Sequence, residues 1–164
     1  MFKRRLVPVW IGIILLSGMF LMGQETWPPP QGTLADVQNV SVSGAEGAYT
    51  FTVTVSSPDT GCGQYYQYCD WFEVLTTEGE LLFRRIIVHS HVSPPFANPF
   101  TRDLGPIPVQ FDQTVIVRAH LSNVGYGGAA MRGSVESGFE PAPDITEDFA
   151  PEVETQDPRP FCYF

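Results

Sequence analysis

Residues 48–55 read AYTFTVTV, with Tyr49, Phe51, Val53 and Val55 alternating against Thr50, Thr52 and Thr54. A period of two buries one face of a strand and leaves β-branched threonines for the solvent face. The same period recurs along the chain. Val37, Val40 and Val42 precede a Ser-Gly-Ala-Glu-Gly turn signal, and Asp70–Leu75 and Leu81–Val92 flank the hairpin-like TTEGE with Gly79. Residues 93–110 are rich in proline and predict a loop with a short edge strand around Ile107–Val109. Thr114–Leu121 alternates again, and Ala129–Val135 completes the series. About seven short strands separated by turn chemistry predict an all-β fold, an antiparallel sandwich over residues 35–139.

The segments outside that domain differ in character. Lys3, Arg4 and Arg5 precede an uncharged apolar stretch from Leu6 to Met22, the layout of an export signal. Residues 1–23 are therefore read as a signal peptide, with an uncleaved signal anchor as the alternative. Leu21-Met22-Gly23 resembles the start of a bacterial lipobox, but Gln24 stands where that pattern requires cysteine. Residues 24–34 include Trp27-Pro28-Pro29-Pro30 and read as a stiff extended spacer. Residues 140–164 carry seven acids and five prolines with few large apolar groups, the composition of a disordered acidic tail.

Charge narrows the partners. Past Gly23 there are 18 acidic residues, six arginines and no lysine, a formal charge of −12. Such a polyanion repels nucleic acid and anionic lipid heads, so membrane contact is expected only through an uncleaved N-terminal segment. Solubility in a salty or extracellular medium is the simplest account of it. The layout predicts an extracytoplasmic location: periplasmic, cell-surface or secreted.

Three cysteines in an exported chain allow one disulfide. Cys62 and Cys69, in GCGQYYQYCDWF, would close a small loop worth ~2.5 kcal/mol in the chain-entropy model. Cys162 is then left over, near the aromatic end Phe161-Cys162-Tyr163-Phe164. The same loop offers Tyr65, Tyr66, Tyr68 and Trp71, aromatics suited to a protein or glycan partner, or alternatively to capping the open end of the sandwich.

The chain's three histidines, His89, His91 and His120, pose the sharpest chemical question. Strand parity sets Val115, Val117, Ala119 and Leu121 inward and Ile116, Arg118 and His120 outward. The same argument puts Leu82, Ile86 and Val88 inward, and Phe83, Arg85, Ile87, His89 and His91 outward. Three imidazoles are a ligand set for zinc and also suit copper. Against convergence stands strand order, because a third strand is expected between the fourth and the sixth. The alternative is a polar patch in which Arg85, Arg118 and the histidines pair with acids such as Glu73 or Asp103. No nucleophile elbow, HExxH helix, phosphate loop or EF-hand pattern occurs, so no catalytic residue or cofactor is expected, copper or zinc being the alternative. Asn39-Val40-Ser41 has the form of a glycosylation acceptor in a eukaryotic route, to which the lipobox-like remnant gives little weight.

TVIVRAHLSNVGYGGAA resembles the sixth strand and following loop of fibronectin type III domains, across some 17 residues. The resemblance implies an immunoglobulin-like β-sandwich. SPDTGC, DWFEV, RRIIVHSHV and GYGG also resemble stretches of exported bacterial proteins, which implies no particular activity. The combined expectation is a non-enzymatic binding, structural or adhesion module of the cell envelope.

Overall fold

The computed structural model describes residues 34–58, 68–87 and 99–159. Eight strands and one short helix occur among them: β1 Asp36–Ala45, β2 Ala48–Ser56, β3 Cys69–Thr76, β4 Leu81–Ile86, β5 Phe100–Ile107, β6 Val115–Leu121, β7 Met131–Ser134, β8 Gly138–Pro141, and the 3-10 helix η1 Pro151–Thr155. They form two antiparallel sheets, β1-β2-β5 and β4-β3-β6-β7-β8. The fold is an all-β sandwich, and β3 lies between β4 and β6 as strand order predicted.

Alternation builds the layer between the sheets. Phe51, Val53 and Val55 from β2 meet Phe72 and Val74 from β3 and Val115, Val117 and Leu121 from β6. The threonines of β2 face outward: Thr52 donates to Asp103 at 2.7 Å, and Thr54 and Thr101 share a hydrogen bond of 2.9 Å. Asp103 thus serves a threonine, while Glu73 takes the arginines.

Three expectations need correction. First, the proline-rich stretch holds a full strand, because Phe100, Leu104 and Ile107 add to the core while β5 pairs with β2. Secondly, the phase of β4 reverses from Phe83 onward, whereas Leu82 packs against the core as expected. Register slips where Val74 pairs with Phe83 but Leu75 with Leu81, so Phe83 and Ile87 pack toward the core and Arg84 lies opposite Glu73 on the other face. Arg85 is exposed as expected, although its ladder partner is the core residue Phe72.

Thirdly, residues 140–159 are not a disordered tail. β8 pairs with β7, and the chain then crosses the outer face of the larger sheet as a strap. Ala142, Ile145 and Val153 are buried there against Leu75 and Ile116, with Leu81, Phe149 and Ala150 packed around them. Burial of a valine or isoleucine contributes roughly 1.5–3 kcal/mol, so a few such anchors can hold an otherwise acidic segment. Gly79 in the β3–β4 turn explains part of the fit: its φ is +90°, and a Cβ there would come within 2.7 Å of the Ala150 Cβ. Residues 160–164, including Cys162, lie outside the described residues.

Candidate functional site

The outer face of the larger sheet carries charge where a solvent-facing sheet would leave it wet. Glu73, fully buried at the middle of β3, lies between Arg84 on β4 and Arg118 on β6 in the ladder. Arg84 Nε donates to Glu73 Oε2 at 2.8 Å, and Arg118 Nε donates to Glu73 Oε1 at 2.8 Å. One carboxylate thus receives both guanidinium groups, which satisfies the usual requirement that a buried charge be paired.

The remaining arginine donors reach the strap. Arg84 Nη1 donates to the carbonyls of Gln156 at 2.6 Å and Pro158 at 3.2 Å, and its Nη2 to Val153 at 2.7 Å. Arg118 donates to the carbonyls of Phe149 and Ala150. These acceptors surround η1, whose start has no side-chain cap and follows Ala150 in a left-handed conformation. Each guanidinium also covers an aromatic ring, Arg84 over Trp71 at 4.5 Å and Arg118 over Tyr126 at 3.5 Å, a further electrostatic attraction.

Beside this clamp lies a second buried pair. A register shift between Cys69 and Trp71 leaves Asp70 as an extra residue opposite β6. Such a shift re-aims a side chain, and here Asp70 Oδ1 sits 2.6 Å from His120 Nδ1. The His120 ring stacks on Trp71 at 3.7 Å, with Tyr126 edge-on at 4.8 Å. Trp71 Nε1 donates to the Tyr126 hydroxyl at 3.3 Å. Among the described residues, buried His120 Nε2 has no hydrogen-bond partner; Glu154 Oε1 on η1 lies 3.5 Å away, beyond the usual hydrogen-bond length. Burial raises the Asp70 carboxyl above its ordinary value, against the lowering effect of its hydrogen bond to His120. Burial, and after it the Glu73 charge, also raises the Tyr126 phenol.

Among the sequence candidates, His120 belongs to this layer, and the outward parity of Ile116, Arg118 and His120 is correct. Their exposure to water is not, because the strap covers them. Tyr68 and Trp71 are buried at 5 % and 3 %, so neither offers a ring to a partner. Tyr68 is held by backbone bonding to Ser122, and Trp71 is a β3 residue filling the covered face. Tyr65, Tyr66, Cys62, His89 and His91 lie outside the described residues. Cys69 is buried at the start of β3. Among the described residues no group of three metal-ligating side chains converges.

Sequence reasoning passed over Asp70, Arg84, Tyr126 and Glu154. The available signal was charge within apolar strands: Asp70 and Glu73 flank Trp71 and Phe72 in DWFEV, and Arg84 sits in LLFRRI. A charged side chain at such a place needs a partner on its own face.

No protein-family model and no solved structure matches the chain. It is 37% identical over 105 residues to a Halomicrobium mukohataei protein described as a "Putative lipoprotein". The matched region is 63% of this chain and 49% of that relative, so the chain spans about half the length of the relative it matches.

Proposed function

We propose that the chain is an exported, non-enzymatic β-sandwich of the cell envelope that contacts a protein or glycan partner, with Tyr65 and Tyr66 as the contact groups. The observation that carries the non-enzymatic reading is the closure of the charged layer. A catalytic acid or base must reach the proton it moves in a bound substrate. Glu73 is instead occupied by two arginines, and those arginines by strap carbonyls. The envelope location is supported by the basic n-region with its apolar stretch and by the lipoprotein description of the relative. The immunoglobulin-like reading is supported by strand partition: first, second and fifth strands in one sheet, third, sixth and seventh in the other.

The test is crosslinking on intact producing cells with a membrane-impermeant reagent. The chain is expected to be labelled and to capture an envelope component, and a Tyr65→Ser/Tyr66→Ser double variant should lose that capture with an unchanged melting temperature. Capture that survives moves the contact surface elsewhere. A chain that the reagent cannot reach overturns the envelope reading.

His120 favours a second reading, a copper or zinc site with His89 and His91. A carboxylate on Nδ1 is the outer arrangement usual for a metal-ligating histidine, and Asp70 supplies it. The 3.5 Å between His120 Nε2 and Glu154 Oε1 is also near the spacing of two ligands about a tetrahedral ion with bonds of ~2.0–2.1 Å. The guanidinium groups over Trp71 and Tyr126 oppose added positive charge there, which ranks this reading second. Elemental analysis of natively purified protein separates the two. Roughly one equivalent of metal, lost in His120→Ala, supports the site, and roughly a tenth or less removes it.

A further inference from the structure

Asn39-Val40-Ser41 is the sole Asn-x-Ser/Thr triplet in the sequence; Asn98 is followed by Pro99-Phe100 and Asn123 by Val124-Gly125. β1 displays it in alternation. Asn39 and Ser41 are exposed, while Val40 between them is buried in the core. The amide and the hydroxyl therefore share the outer face of the smaller sheet. Among the described residues, Asn39, Ser41 and Thr101 on that face are exposed.

Its surroundings are open and polar. β1 is an end strand of its sheet, and the register shifts between Val37 and Asn39. Across the sheet Asn39 pairs with Thr54, which pairs with Thr101, while Ser41 pairs with Thr52. Small hydroxyl side chains thus border Asn39, and none is large enough to cover its amide.

We propose that Asn39 is an N-linked glycosylation site; the proposal rests on the exported reading given above. The donor would be an oligosaccharide carried on a polyprenyl phosphate or pyrophosphate at the outer side of the membrane. A bond forms between Asn39 Nδ2 and the anomeric carbon of the first sugar, the bond from that carbon to the carrier's phosphate oxygen breaks, and Nδ2 gives up one proton. No oxidant or reductant is needed. A glycan there gives the end strand a bulky hydrated group, one way of blocking edge-to-edge pairing with another chain. The neighbouring threonines and serines offer donors and acceptors to the sugar hydroxyls.

The test is intact-mass and peptide mass spectrometry on protein recovered from outside the cytoplasmic membrane of its producing cells. The peptide containing Asn39 is expected to carry added mass in sugar-residue increments. The addition should vanish in Asn39→Gln and in Ser41→Ala and persist in Ser41→Thr, which also shows that changing this face does not prevent folding. Protein recovered outside the membrane with Asn39 unmodified overturns the glycan and leaves the exported reading intact. Protein confined to the cytoplasm overturns the exported reading, and the glycan with it.

Discussion

Glu73 shows how one side chain can tie three strands and a strap together. Its carboxylate accepts from β4 and β6, and the same two guanidinium groups hold the backbone around η1. Breaking a buried ion pair by removing one partner costs about 3–5 kcal/mol, because the other charge is left buried. Glu73→Gln is therefore expected to lower unfolding free energy by that order in denaturant titration; a loss of roughly 1 kcal/mol or less would mean that water already reaches the arginines. Asp70 makes a prediction of different sign. Its raised carboxyl means that the native state keeps the proton to a higher pH than the unfolded chain does. The stability linked to Asp70 is thus complete below the ordinary value of 3.8 and is lost as pH rises through the higher folded value. Relative to Asp70→Asn, the wild type should lose stability over that rise. A gain would show that pairing with His120 outweighs burial. At this scale the sequence disclosed the outward phase of Arg118 and His120 but not their burial. Parity reports a face, and only the partner layer decides whether that face is wet.

The elements were read best where one rule decided them. AYTFTVTV became β2 with the expected buried set, since alternation against a single core leaves no other phase. β4 differs from expectation because Arg85 marks an outward face only if its whole side of the strand is wet; it is exposed yet stands opposite the core residue Phe72, while Arg84 is buried opposite Glu73. The strap was misread because composition averages over a segment. Seven acids and five prolines outweighed Ile145, Phe149 and Val153, three apolar anchors carried on turns and one short helix, with no repeating pattern to mark them. Val153 is the deepest of these at 1 % exposure. Val153→Asp would bury an unpaired charge and should release residues 142–159, seen as rapid proteolysis within that segment while 34–141 survives. Equal resistance in wild type and variant would contradict the anchoring role of η1.

For the whole molecule, the sandwich and the place of β3 between β4 and β6 were legible, because short alternating runs separated by turns have few ways to pair. The clamp was not, since Glu73, Arg84, Arg118 and Val153 come from four separated stretches of sequence. Net charge acts at this scale. With 18 acids against six arginines past Gly23, six of the acids on residues 142–159, self-repulsion opposes the closed strap. Raising salt from about 0.1 to 1 M shortens the screening length from about 10 to 3 Å. The melting temperature should rise over that range, and a flat or falling one would mean that the buried ion pairs, not surface repulsion, dominate the salt response. The buried charges fasten the strap to the sheet, and hydrogen exchange of wild type against an Arg84→Ala/Arg118→Ala double variant reads that fastening residue by residue. Backbone amides of residues 142–158 are expected to lose protection in the variant while those of β2 and β6 keep theirs. Unchanged protection across 142–158 would contradict it.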